Sequence, residues 1–281
     1  MTFASLITKY SKPMEPVPTG LPPRVNRRIR PAAILFDVYG TLFISKAGDI
    51  GVAVEEARRN RSRIAAMFER YGIGADPGEI LDRFFAEITA EKEKMAGKGI
   101  EYPEVVIEKI WMRVLTLDDL GKVRRIAVEY ELIVNPVFPM PHMEKLFDAC
   151  RKKKVAMGII SNAQFYTPRL FSAYLKKPFR KIGFDERLTF FSYRLGYGKP
   201  SLAVFEKAAR QLREHGVSVK DALYVGNDML KDIYPASMTG FGTALFAGDA
   251  RSLNLREGDA RCRDVTPDLV VTDLAQIIEL L

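Results

Sequence analysis

Short runs of apolar residues, each ended by a turn signal, alternate with helical patterns along the chain. The longer runs are Ala33–Phe36, Val155–Ile160, Leu188–Tyr193 and Ala222–Val225, and shorter ones are Thr243–Phe246 and Leu269–Val271. Continuous apolar runs of this length are typical of strands buried on both faces of a parallel sheet. Because helical patterns separate the runs, the sequence predicts an α/β fold with a doubly wound, Rossmann-like parallel sheet.

Residues 48–135 have a different pattern, which predicts four helices. These are Val52–Tyr71, Pro77–Lys98, Pro103–Leu115 and Asp118–Glu131. In the second helix the apolar residues recur at helical spacing, as Ile80, Leu81, Phe84, Phe85 and Ile88. The block is too long for a simple crossover between strands, so we expect an inserted α-helical domain with Trp111 in its core. The sheet domain would then combine residues 31–47 and 136–281.

Residues 1–30 hold five prolines and precede the first strand. Proline fixes φ and removes a backbone donor, which disfavours helix interiors and central strands. We therefore expect an extended N-terminal leader that contains neither a helix nor a strand.

Composition narrows the classes of function. The formal net charge is +8, which would attract an anionic ligand, although a solvated basic surface also explains it. The basic clusters lack interleaved aromatic residues, so we expect no nucleic-acid partner. No apolar run approaches membrane-spanning length and no signal-peptide pattern opens the chain. Two cysteines and two histidines argue against a disulfide framework or a zinc site, and we expect a cytoplasmic protein.

Polar side chains follow the predicted buried strands or their loops. They are Asp37, Ser161, Lys199 and the pair Asp228 and Asp232. Because the carboxyl ends of parallel strands meet at one edge, these side chains can lie close together. Three carboxylates would repel one another without a cation, and oxygen ligands without histidine or cysteine favour Mg²⁺. Each residue also has a simpler explanation alone: Asp37, Ser161 and Asp228 as caps, Lys199 and Asp232 as surface charges.

The order of these motifs resembles that of the haloacid dehalogenase-like (HAD) hydrolase superfamily. The first motif of that family is matched by Ile34–Leu42, which reads I-L-F-D-V-Y-G-T-L, and the second by Ile159–Asn162. The third, a lysine in a G-x-x-K-P pattern, is matched by Gly196–Pro200, and the acidic fourth by Gly226–Asp232. The resemblance covers about 31–281 and implies that the helical block is the family's cap domain.

The resemblance also implies the roles of single residues. Asp37 would be the nucleophile that forms an aspartyl intermediate, and Lys199 would offset charge beside it. The other residues expected to assist catalysis or bind a small anionic, phosphorylated substrate are Thr41, Ser161, Asn162 and Gly40. Mg²⁺ would be held by Asp37, Asp228, Asp232 and the backbone carbonyl of Tyr39.

Two positions depart from the family's phosphatases. Tyr39 stands where they carry a second acid, and a phenol with a pKa of ~10 is a poor replacement for activating water. The D-x-Y-G-T-L variant is typical of 2-haloacid dehalogenases, which work without metal. The pair Asp228 and Asp232 instead resembles a phosphatase metal site, although a shift of one residue would put Asn227 in the first acid's place.

The sequence therefore favours a Mg²⁺-dependent phosphatase-like hydrolase. A metal-independent 2-haloacid dehalogenase is the first alternative. A catalytically weak relative that binds a phosphorylated ligand is the second.

Overall fold

The computed structural model describes residues 2–26, 28–45 and 50–281. A parallel sheet of six strands forms the core, in the order β5-β4-β1-β6-β7-β8. Its strands are β1 (Ala33–Phe36), β4 (Ala156–Ser161), β5 (Phe184–Phe191), β6 (Ala222–Gly226), β7 (Gly242–Phe246) and β8 (Leu269–Val271). A small antiparallel pair, β2 (Phe43–Ile44) and β3 (Phe138–Pro139), lies where the chain leaves and re-enters the sheet domain. The predicted Rossmann-like fold is confirmed.

Helices cover both faces of the sheet. They are α7 (Met143–Lys153), α8 (Thr167–Leu175), α9 (Ser192–Leu195), α10 (Leu202–Glu214), α11 (Tyr234–Met238) and α12 (Ala275–Ile278). All four residues of β1 are buried, because its neighbours β4 and β6 flank it and helices pack on each face. Phe36 packs against Phe147 of α7 on one face, and Leu35 lies in the cluster of Phe205 of α10 on the other.

The inserted helices between β2 and β3 form the predicted cap. They are α2 (Ile50–Arg59), α3 (Arg61–Arg70), α4 (Pro77–Ala96), α5 (Ile107–Leu115) and α6 (Leu120–Val134). The single helix predicted over Val52–Tyr71 is instead two helices, separated at Asn60, whose φ of −100° and ψ of 17° are not helical. Trp111 lies in the cap core as expected, fully buried and stacked on Phe84. The predicted boundary between residues 47 and 48 lies outside the described residues.

The prediction for the N-terminus was wrong in part, because Phe3–Tyr10 forms a helix, α1. Its buried Leu6 and Ile7 lie on one face, and the Thr2 side chain accepts a hydrogen bond from the Ser5 amide as an N-cap. The prolines begin only at Pro13, after this helix ends. The following chain is extended as predicted and reaches β8, where Arg24 pairs with Val270.

No helix in the described part of the chain is both long and apolar enough to cross a membrane.

Candidate active site

The predicted catalytic side chains lie at the carboxyl edge of the sheet. Asp37 directly follows β1, Ser161 ends β4, and Lys199 lies in the loop after β5 and α9. Asp232 lies in the turn that follows β6. Asp37, Lys199 and Asp232 are only 7%, 5% and 1% exposed, so their charges interact with little screening by water.

Lys199 pairs with two carboxylates at once. Its Nζ lies 2.7 Å from Asp37 Oδ1 and 2.5 Å from Asp232 Oδ1. Nζ also donates to the Tyr224 hydroxyl at 3.1 Å, and that hydroxyl lies 2.9 Å from Asp232 Oδ1. The ammonium is therefore held by three oxygens from different segments of the chain, and Asp37 is the least buried of the group.

Burial and charge act in opposite directions on this cluster. Burial disfavours the ammonium of Lys199, but the carboxylates of Asp232 and Asp37 outweigh it and raise the pKa of Lys199. Burial raises the pKa of Asp232, Lys199 opposes this, and the charges of Asp37 and Asp228 add to it. Lys199 thus stays cationic and offsets the charge of the Asp37 carboxylate.

The turn after β6 directs Asp232 at Lys199. Residues Met229–Ile233 form a π-helical turn in which the amides of Asp232 and Ile233 both donate to the Asp228 carbonyl. Asp232 Oδ2 accepts from the backbone amides of Asn227 and Asp228, each at 3.0 Å. Gly226 makes this possible, because a Cβ there would lie 2.4 Å from the Asp232 carboxyl carbon.

Asp228 does not face Lys199. Its Oδ1 caps the turn by accepting from the amides of Leu230 and Lys231, at 2.9 and 3.0 Å. Arg256 forms an ion pair with the same carboxylate. Its terminal nitrogen lies 2.6 Å from Asp228 Oδ2, and its Nε lies 3.1 Å from the same oxygen. Both oxygens of Asp228 therefore already have partners.

Asn227, rather than Asp228, lies against the loop that follows Asp37. The Thr41 hydroxyl donates to Asn227 Oδ1 at 3.1 Å, and Asn227 Nδ2 donates to the Ser252 carbonyl at 2.6 Å. Gly40, at φ +86°, allows this contact, since a Cβ would lie 2.6 Å from Asn227 Nδ2. Thr41 and Gly40 thus shape the loop around Asp37.

Ser161 and Asn162 follow β4 side by side and differ in their contacts. The Ser161 hydroxyl is buried and has no hydrogen-bond partner among the described residues. Asn162 is clamped to the backbone of Lys199, accepting from its amide at 2.8 Å and donating to its carbonyl at 3.0 Å. Ser161 is therefore a buried donor without a partner at the end of β4, whereas Asn162 positions the lysine loop.

The surroundings of Tyr39 do not suit a catalytic acid. Its hydroxyl shares a 2.8 Å hydrogen bond with Thr167 at the start of α8. Burial, and then the charge of Glu131, raise the pKa of Tyr39 above its ordinary value. A phenol held this way is a poor proton donor or base near neutral pH.

A cleft of about 790 Å³ lies beside Lys199, between the cap and the sheet domain. Lys199 and Asn162 line its floor, while Glu104 and other cap residues line its roof. Its charged lining is mostly basic and consists of Lys92, Lys199, Lys231, Arg256 and Arg261 against Glu93 and Glu104. Such a lining suits a small anionic ligand.

Comparison with protein-family models matches residues 31–236 to the haloacid dehalogenase-like hydrolases. The chain belongs to this family. Among solved structures, it is similar to a 2-haloacid dehalogenase from Pseudomonas syringae pv. Tomato DC3000 (19% identity, 88% of this chain and 96% of that chain covered, TM-score 0.54). It is also similar to a HAD phosphatase from Thermococcus onnurineus (17% identity, 87% and 95% covered, TM-score 0.51). Identities this low establish the fold alone. A search of curated proteins gave no match.

The magnesium site predicted from the HAD resemblance can be tested against these contacts. Asp228 is engaged by Arg256, and the oxygens of Asp232 are engaged by Lys199, Tyr224 and two backbone amides. No group of three or more Asp, Glu, His or Cys side chains within the described ranges is arranged to hold a metal ion. As arranged, these residues do not fit Mg²⁺.

Two residues of this HAD site escaped the sequence analysis. Tyr224 had a readable signal, because it is the one polar side chain inside the apolar run that forms β6. Arg256 had none, since it lies 28 positions after its partner Asp228 and outside any helix or strand.

Proposed function

We propose that this protein is a hydrolase in which the Asp37 carboxylate attacks a small anionic organic substrate and forms a covalent ester. The observation that supports it is the sharing of Lys199 between Asp37 and Asp232, beside the unpartnered hydroxyl of Ser161. The ammonium offsets the charge that would repel an anion from Asp37. The Ser161 hydroxyl would donate to an oxygen of the bound anion.

The geometry best supports a leaving group that departs without a proton, as in a 2-haloacid. An Asp37 oxygen would bond to the carbon that carries the halogen while that carbon–halogen bond breaks and halide leaves with the electron pair. Water would then add to the ester carbonyl, which releases the hydroxy acid, restores Asp37 and frees one proton. Tyr39 supports this choice, because its raised pKa and its bond to Thr167 leave no acid at the family's usual position.

Phosphate-monoester hydrolysis is the second candidate, and the basic lining of the cleft favours it. It is the reaction that the sequence favours, with Mg²⁺ as cofactor. The contacts of Asp228 and Asp232 give it less support, because attack by a carboxylate on a dianion needs more charge compensation than Lys199 alone supplies.

The deciding experiment measures halide release from 2-chloropropanoate and phosphate release from p-nitrophenyl phosphate, each with Mg²⁺ and with EDTA. We expect halide release that EDTA leaves unchanged, and its loss in Asp37→Asn. Asp221→Asn is the matched control, because this exposed carboxylate precedes β6 at the opposite edge of the sheet. Phosphate release that requires Mg²⁺ would instead support the second candidate. Turnover that survives Asp37→Asn would contradict both.

A further inference from the structure

Positive charge is concentrated on one face of the sheet domain. Residues 149–184 include nine lysines and arginines but no aspartate or glutamate. Apart from Arg169, these cations lie at the end of α7 and in residues 176–183, the segment between α8 and β5. With Lys145 of α7 they form a set that we name the basic strip: Lys145, Arg151–Lys154, Lys176, Lys177, Arg180 and Lys181.

The two parts of the basic strip lie side by side on the surface. Lys177 Nζ is 3.0 Å from Glu144 Oε1 in the first turn of α7, and Arg151 in the last turn donates to the Ile182 carbonyl at 2.7 Å. Segment 176–183 therefore runs along the helix, whose 11 residues span about 16 Å. The apolar side chains of α7 are buried against the sheet, so the cations face outward, and all but the half-buried Lys177 are exposed.

Most cations of the basic strip lack an acidic partner. Glu144 pairs with Lys177, and Asp148 pairs with Arg151. The other seven cations form no ion pair with any carboxylate among the described residues. Cations in the last turn of a helix stabilise its C-terminus, which explains Arg151–Lys153 but not the cations of segment 176–183. The remaining charge is not neutralised, and an anionic partner would offset it.

Acidic side chains border the basic strip on both sides. Asp185 and Glu186 follow segment 176–183 within β5, and Glu279 follows α12, which packs against α7. A membrane surface with anionic lipids is broad, so contact with it would also press lipid charges against these acids. A narrow anionic chain would lie between them instead. The acidic border therefore favours a linear partner.

The aromatic residue within the basic strip does not suit nucleic acid. Single-stranded nucleic acid is also a narrow anion, but proteins bind it by stacking its bases on aromatic side chains. Phe179 is the one aromatic residue of segment 176–183, and its ring stacks on Phe184 at 5.6 Å and meets Phe171 at 5.6 Å. This ring is therefore engaged by the core. Carboxylates need only the charge and the donors that lysine supplies.

We propose that the basic strip is a docking surface for an acidic, extended segment of a partner protein. About five extended residues, at ~3.3 Å each, would match the length of α7. Their glutamates or aspartates would pair with the lysines that have no acidic partner. The end of α7 precedes β4 and lies at the sheet edge opposite Asp37, so this docking is independent of the proposed catalytic reaction.

Fluorescence anisotropy of a labelled peptide of ten glutamates tests the proposal on the full-length protein. We expect saturable binding at ~0.05 M salt that weakens about tenfold at ~0.2 M, because salt screens exposed charge pairs. The matched peptide of ten glutamines should not bind. No saturable binding of the glutamate peptide, or equal binding of the glutamine peptide, would overturn the proposal.

Two double variants locate the binding. Lys152→Gln with Lys181→Gln removes two charges from the basic strip, and we expect the affinity for the glutamate peptide to fall about fivefold. Lys98→Gln with Lys109→Gln removes two exposed charges from the cap, and we expect a change of less than about twofold. Equal loss of affinity in both would show that net charge attracts the peptide and would refute the docking surface.

Two further ligands distinguish the class of partner. Vesicles of phosphatidylserine and phosphatidylcholine, and a single-stranded oligothymidylate, are titrated at the same salt concentrations. We expect both to bind more weakly than the glutamate peptide per unit of ligand charge. Tighter binding of either ligand that is lost in the Lys152→Gln and Lys181→Gln variant would assign the basic strip to a membrane or to nucleic acid, and would refute an acidic protein segment as its partner.

Discussion

At the scale of single residues, the site depends on one ammonium group that two carboxylates share. Lys199 contacts Asp37 and Asp232, and Arg256 neutralises the third carboxylate, Asp228. The convergence of Asp37, Ser161, Lys199 and Asp232 could be predicted, because each follows a strand whose carboxyl end meets the others. The partner of Asp228 could not, since no local pattern marks Arg256.

Lys199→Met should remove the cation and nearly preserve the side-chain volume. Asp37 and Asp232 would then lack the cation that they share, so we expect kcat/KM to fall about 10²–10³-fold. The free energy of unfolding should fall by roughly 3–5 kcal/mol, as when a buried ion pair loses one partner. Urea unfolding and initial rates test this, with the exposed Lys207→Met on α10 as control. A variant that retains both activity and stability would refute the role of Lys199.

Arg256→Ala should release Asp228 for a divalent cation. Asp228 would lose its cation, and its negative charge, which already contributes to the raised pKa of Asp232, would be free to attract a metal. We therefore expect Mg²⁺ to stabilise the variant more than the parent. At a concentration one hundred times the Kd, the gain would be about 2.7 kcal/mol. Thermal unfolding at increasing Mg²⁺ measures this, and Arg187→Ala, which removes an exposed pair with Asp185, is the control. Equal stabilisation of the parent would show that Arg256 does not block a metal.

At the scale of elements, the N-terminal helix α1 joins the cap to the sheet domain. It packs on both α6 and α8, and Tyr10 donates to Glu129 of α6 at 2.5 Å. Arg70, at the end of α3, pairs with the same carboxylate at 2.6 Å. The Tyr71 hydroxyl also donates to Glu129, at 2.9 Å. The strands were predictable from their apolar runs, whereas α1 was missed because the prolines after it set the expectation for the whole segment.

Glu129→Gln should weaken the attachment of α1 to the cap, and the loss of stability should depend on pH. Burial opposes ionisation, but hydrogen bonds from Tyr10, Arg70 and Tyr71 outweigh it and lower the pKa of Glu129 below its ordinary 4.5. A lowered folded-state pKa means that the stabilisation is present above about pH 4.5 and is lost as the pH falls. The free energy of unfolding of the parent should thus exceed that of the variant by ~1–3 kcal/mol at neutral pH.

Urea unfolding across this pH range, with the exposed Glu69→Gln as control, should show the difference shrinking on acidification. A difference that grows as the pH falls would have the wrong sign for this explanation. Faster hydrogen exchange confined to α1 in Glu129→Gln would further locate the effect at the junction of cap and sheet domain.

At the scale of the whole molecule, the cap is fixed over the site by a second junction. The backbone of Tyr102 and Glu104 hydrogen-bonds to Gly198 and Gly196, directly beside Lys199, and the Ser192 hydroxyl donates to the Glu104 carboxylate at 3.0 Å. The inserted block could be predicted from its helical pattern and length. These backbone contacts could not, because they depend on how the two domains meet and leave no mark in local sequence.

The net charge of +8 predicts that ionic strength controls the capture of an anionic substrate. The Debye length falls from ~30 Å at 0.01 M to ~8 Å at physiological salt, so the field of the basic cleft is screened over that range. We expect kcat/KM for an anionic substrate to fall by about threefold or more, mostly through KM. Steady-state rates across a salt series measure this.

A pair of double variants separates the charge of the cleft from the charge of the whole molecule. Lys92→Gln with Arg261→Gln removes two cleft cations, whereas Lys152→Gln with Lys153→Gln removes two exposed ones at the end of α7. That end precedes the start of β4, so it lies at the sheet edge opposite Asp37. Both changes lower the net charge equally, but only the first should flatten the salt dependence of kcat/KM. Equal flattening would mean that net charge, and not the arrangement of the cleft, attracts the substrate.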